Sequence, residues 1–96
     1  MRYPWKDIYG IEIEVGDYVK DMKNGRKGYI EFDAREVPCI HVVEQFNPDV
    51  GWRKLNNKGP IEAYQRPLFD ENKSKFYWWR HHYVLPHIAV LYKRYN

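Results

Sequence analysis

Apolar and polar residues alternate along this chain in short bursts, and turn-forming residues cut the bursts apart. Ile11, Ile13 and Val15 alternate with Glu12 and Glu14, the pattern of a half-buried strand. Gly16-Asp17 interrupts the alternation and Tyr18-Val19 resumes it; glycine at this point permits a positive φ or a bulge that turns the strand sharply. Asn24-Gly25 is a strong turn signal. Beyond it Gly28, Ile30 and Phe32 fall on one face of a strand and Tyr29, Glu31 and Asp33 on the other. Pro38 to Phe46, PCIHVVEQF, is β-branched and partly alternating, and predicts a third strand. GWRKL and PIEAYQ flank the polar run NNKGP and predict a hairpin around it. HIAVLYKRY places Ile88, Val90 and Tyr92 opposite Ala89 and Leu91, and predicts a closing strand.

One segment carries two patterns. In DENKSKFYWWRHHYVLP, Asp70 suits a helix N-cap, and Phe76, Trp79 and Tyr83 recur with helical spacing. The density of Trp, Tyr and Phe favours a strand instead. The reading that reconciles them is a short helical turn near Glu71–Lys75 leading into a strand from about Phe76. Breakers this frequent leave room for short strands and none for long helices. Ninety-six residues, 1–96, make a single mainly β domain with one thin core.

The segment from Ile8 to Asp33, with its phrase YGIEIEVGDYV, a polar loop and then Gly28-Tyr29-Ile30-Glu31-Phe32, resembles the start of a small SH3-like barrel. KOW-type modules of transcription and translation proteins look like this, and so do phage and prophage proteins of the YopX type. The resemblance implies an SH3-like barrel of about five or six strands, with a short helical turn and a C-terminal β extension. In such a barrel Gly16-Asp17 is the bend after the first strand, Val19 points into the core and Gly28 opens the second strand. It implies a binding module, whose function lies in its exposed surface and not in its fold.

Composition sharpens that expectation. Nine Tyr, four Trp and four Phe make 18% of the chain, more than a minimal core needs, so some rings must face solvent. The formal net charge is only +3. Residues 1–33 and 34–70 are near balance, whereas residues 71–96 carry Lys73, Lys75, Arg80, Lys93 and Arg94 against Glu71 alone. That basic excess coincides with Tyr77, Trp78 and Trp79. Lys and Arg neutralise phosphates and flat rings stack on bases, so this third is a candidate nucleic-acid surface. Lys23, Arg26 and Lys27 in the first loop, and Arg53 and Lys54 further on, are additional candidates.

Catalysis finds little to build on. Ser74 is the single hydroxyl nucleophile of its kind, there is no threonine, and no glycine elbow surrounds it. Cys39 has His41 two residues on but no third orienting group, and reads as a small core cysteine. No phosphate-binding or dinucleotide fingerprint occurs, and the His and Cys spacing is not that of a zinc site. The chain therefore reads as a non-enzyme without cofactor or metal. Its partner is nucleic acid or a nucleoprotein machine, or alternatively a host protein bound by a phage-type adaptor or inhibitor, because Trp, Tyr and Arg also dominate protein interfaces. An aromatic cage for a methylated lysine is a third possibility. The lone cysteine, the absence of an apolar leader in MRYPWKDIYG and the absence of a run long enough to span a membrane suggest the cytoplasm.

Overall fold

The alternating segments after Gly16 do form strands in the computed structural model, which describes residues 5–70 and 75–94, with backbone alone along 65–70 and 75–82. β1 (Tyr18–Asp21), β2 (Arg26–Phe32), β3 (Pro38–Asn47) and β4 (Gly51–Pro60) follow one another as an antiparallel meander. β5 (Tyr64–Asp70) and β6 (Lys75–Val84) form a separate hairpin, and β7 (Ile88–Tyr92) returns to pair with β1. The main sheet thus has the order β4-β3-β2-β1-β7. The strand predicted from about Phe76 is β6; the helical turn predicted near Glu71–Lys75 falls mostly on residues outside those described, and no helix occurs among the described residues.

The fold is mainly β, but the expected barrel does not close. The sheet ends at β4 on one side and β7 on the other, and these edges do not pair with each other. The outer edge of β7 is instead met by the N-terminal segment: the Ile8 amide donates to the Ile88 carbonyl (2.9 Å) and the Val90 amide donates to Asp7 Oδ2 (3.0 Å). Between β4 and β7 the chain is spent on the β5–β6 hairpin. That hairpin contacts the rest of the protein at its base, where Tyr83 lies edge-on to Trp5 at 5.2 Å. The described chain spans 52 × 30 × 22 Å.

The core lies under one face of the sheet. Val19, Ile30, Ile40, Val42 and Ile88 are at most 1% exposed, and Trp5, Ile13, Ile61 and Leu85 complete the cluster. Each such side chain contributes about 1.5–3 kcal/mol on leaving water. Val19 takes the core position expected of it. Gly16 has φ 90° and Gly25 has φ 61°, so both bends need the left-handed conformation that glycine supplies freely. Gly28 has a different reason: a Cβ there would lie 1.9 Å from the His41 carbonyl oxygen. The register slips at this point, leaving Val43 as an extra residue in β3 and drawing the two backbones together.

Two expected elements are absent. Residues Ile11 to Val15 form no strand; Lys6 and Glu12 share one isolated bridge. Two backbone donors of this segment go to side chains: the buried Asp7 accepts from the Ile11 amide (2.8 Å), as it does from the Tyr9 amide just before (2.9 Å), and the buried Asp17 accepts from the Glu14 amide (2.8 Å), while the Ile13 amide donates to the Trp5 carbonyl (2.9 Å). Carboxylates that capture local amides compete directly with a ladder. The NNKGP run is not a turn either. It lies within β4, with Asn57 opposite Val42 and Lys58 opposite His41. The reversal comes at Asn47–Gly51, where Asn47 Oδ1 accepts from the Asp49 amide at 2.8 Å and Gly51 has φ 81°.

Candidate functional site

Alternation that sends Val19, Gly28 and Ile30 inward sends Tyr18, Lys20, Lys27 and Tyr29 outward. The pairing of β1 with β2 sets Tyr18 opposite Tyr29 and Lys20 opposite Lys27, so the four form a block on the open face of the sheet. β7 adds Tyr92, whose Cα partner is Tyr18. The expected grouping of Tyr92 with Ile88 and Val90 fails because the β1–β7 register slips beside Leu91; Tyr92 is 70% exposed while Ile88 is buried. The Tyr18 ring therefore sits between Tyr29 (centroids 5.1 Å apart) and Tyr92 (5.8 Å). All five strands contribute to the groove around this row, which has a volume of about 830 Å³ and also takes in Lys27, Glu44, Lys54 and Lys93.

A second aromatic group lies on the same face. Phe46 and Trp52, opposite one another on β3 and β4, pack edge to face at 5.5 Å. The Lys27 ammonium stands 4.1 Å from the centre of the Trp52 ring, and Lys20 stands 5.8 Å from it. Lys27 thus links the tyrosine groove to the tryptophan. The acidic side chain in the groove is Glu44, which accepts a hydrogen bond from the Tyr18 hydroxyl (3.3 Å). Burial, then the Glu44 charge, pushes the Tyr18 phenol above its usual value, so it remains a neutral donor at physiological pH.

The candidate residues divide sharply. Lys27 and Lys54 line the groove. Arg53 alternates with Trp52 and Lys54 along β4 and lines a different, smaller depression beside Gln45 and Pro48. Arg26 is structural: its guanidinium donates to Asp21 Oδ2 (2.5 Å) and to the Pro60 carbonyl (2.8 Å), tying β2 to the end of β4. Lys23 is paired with Glu62 at 2.9 Å. Lys93 borders the groove, but its ammonium is held by Asp17 and by the Glu12 carbonyl (2.6 Å). Arg94 donates through its backbone amide to Asp17 (2.9 Å), and its side chain lies across Gly16. Lys75, Tyr77, Trp78, Trp79 and Arg80 all lie on β6, where the register against β5 shifts between Pro67 (opposite His81) and Leu68 (opposite Tyr77). Lys73 lies outside the described residues. The rings that build the groove, Tyr18 and Tyr29, together with Phe46 and Trp52, are absent from the sequence-based candidates. For Tyr18 and Tyr29 the signal is an outward ring beside an inward Val19 or Ile30; Phe46 and Trp52, flanked by polar residues and glycine, carry no such signal.

Cys39 is half-buried, not a core residue, and burial, then the charges of Glu31 and Asp33, raises its thiol above its usual value. Beside it His41 bonds Asn56 Oδ1 at 2.6 Å, and Lys58 pairs with Glu31 at 3.1 Å. Among the described residues no group of three or more His, Cys, Asp or Glu is placed to hold a metal ion, and no helix is long and apolar enough to cross a membrane. Compared with known proteins, the chain matches no family model, no curated protein and no solved structure at a significant level.

Proposed function

We propose that the protein is a non-catalytic, cytoplasmic binding module that holds nucleic acid, free or within a nucleoprotein machine, on the open face of its sheet. Its architecture is read as an SH3-like plan left open between β4 and β7. The observation that carries the function is the row Tyr92–Tyr18–Tyr29 with Lys27 and Lys54 at its side. Rings exposed in a concave sheet can stack on bases, and the neighbouring ammonium groups can meet phosphates. The binding face is thereby assigned to β1, β2, β3, β4 and β7 rather than to the C-terminal third alone.

A host protein is the second reading, favoured by Glu44 inside the groove and by the exposure of Met22, Phe46 and Trp52 beside it. Tryptophan fluorescence, with single- and double-stranded DNA and RNA titrated at about 50 and 200 mM salt, separates the two. Saturable quenching that weakens by orders of magnitude across that interval supports phosphate contact. No response to any nucleic acid at the lower salt refutes the reading and moves the search to protein partners.

A further inference from the structure

We infer that the open face selects single-stranded over duplex nucleic acid and does so with two separated stacking subsites, an inference that rests on the function proposed above. The first subsite is the tyrosine row on β7, β1 and β2; the second is the Phe46–Trp52 pair on β3 and β4. Tyr29 lies opposite His41, and Trp52 lies opposite Phe46, five positions further along β3 with Val43 bulged out between them. That offset is about 13 Å along the strands, with a sideways step of about 5–10 Å for one or two strand spacings. The subsites are therefore about 15 Å apart, several times the ~3.4 Å that separates stacked bases in one strand of a duplex.

A duplex keeps its bases stacked and paired, with their faces hidden. It can offer such a surface its phosphates and groove edges, and no ring face at either subsite. A single strand can splay its bases, laying one on the tyrosines and another on Trp52 while the intervening backbone crosses Lys27. Lys27 suits that place, because it lines the tyrosine groove and its ammonium also caps the Trp52 ring. Turned toward a phosphate, it uncovers the ring it now covers. Glu44 lies within the first subsite, bonded to the Tyr18 hydroxyl, and can accept from an exocyclic amine of a base.

The test is fluorescence anisotropy with labelled thymidylates, a dinucleotide too short to reach both subsites and a strand of about eight nucleotides, and with a blunt hairpin duplex, at low salt. The longer strand is expected to bind roughly tenfold or more tightly than the shorter one and than the duplex, since each stacked base is worth about a tenfold gain. Trp52→Ala and Tyr29→Ala are each expected to remove the length advantage, and Lys27→Ala to lower affinity and flatten the salt dependence. Both rings are substantially exposed, and circular dichroism confirms that the variants are folded. Duplex binding as tight as single-strand binding overturns this inference while the proposed function stands. Equal affinity for the two lengths overturns the pair of subsites. No binding of any probe overturns the inference and the proposed function together.

Discussion

Removing the Asp17 carboxylate should unfold the closure between the two ends of the chain. Asp17 is fully buried, and its oxygens accept from the Glu14 amide at 2.8 Å, from the Arg94 amide at 2.9 Å and from the Lys93 ammonium at 2.5 Å. Asp17→Ala leaves two backbone donors without their acceptor, at about 1–3 kcal/mol each. It also unpairs Lys93, whose side chain is 35% exposed, so water absorbs most of that loss and the ion pair is counted as small. The total is about 3 kcal/mol, a large part of the roughly 5–14 kcal/mol expected for a domain of this size. At about 4–8 °C per kcal/mol, the melting temperature should fall by roughly 12 °C or more. Asp17→Asn is informative because the site needs an acceptor at both oxygen positions. One position would become an NH₂ facing a donor, so this near-isosteric change should cost about 2 kcal/mol, against about 0.5 kcal/mol for an ordinary surface substitution. Lys93→Met should also destabilise, because it leaves the fully buried Asp17 carboxylate without its ammonium partner. Thermal and urea melts followed by circular dichroism provide the measurement. An Asp17→Ala loss within about 0.5 kcal/mol of zero would refute the assignment of Asp17 as the clasp.

Other consequences follow from single sites. Gly28→Ala should destabilise by about 1–3 kcal/mol or more, because its Cβ would meet backbone atoms of His41 and Val42 that cannot turn aside; an unchanged urea midpoint contradicts the close approach of β2 and β3. Glu62 is held down at about 2 by the Tyr64 hydroxyl and then Lys23, against an ordinary 4.5. A depressed carboxylate stabilises above its unfolded value and loses that contribution as pH falls through the folded one, so the advantage of the wild type over Glu62→Gln should vanish between about pH 4.5 and 2; a difference in urea midpoint that persists at the lower limit would contradict it. Cys39 should react with iodoacetamide near neutral pH more slowly in the folded protein than in urea, given its raised thiol; equal rates would contradict its partial burial.

Strands that alternate were legible in the sequence: β2 and β3 follow from Ile30, Ile40 and Val42, and β7 from Ile88 and Val90. The failures have physical reasons. β4 is an edge strand whose side chains are mostly solvated, so Asn56, Asn57 and Lys58 need no apolar alternation and imitate a turn. Ile11 to Val15 alternate, but Asp7 takes the Ile11 amide and Asp17 the Glu14 amide, and both carboxylates are held by contacts spanning the length of the chain. The candidate surface was half legible for the same reason. Lys27 and Lys54 could be named as cations, but composition cannot distinguish them from Arg26 or Lys93, whose charges are spent on Asp21 and Asp17. The tyrosine row exists because β7 pairs with β1 across most of the sequence, placing Tyr92 beside Tyr18.

The most direct test of the central claim is a map of amide and indole chemical-shift changes as a single-stranded oligonucleotide is titrated in. Changes concentrated at Tyr18, Lys27, Tyr29, Lys54 and the Trp52 indole, saturating together, are what the open-face site predicts. Changes confined to the β5–β6 hairpin, with those residues unmoved, would contradict it.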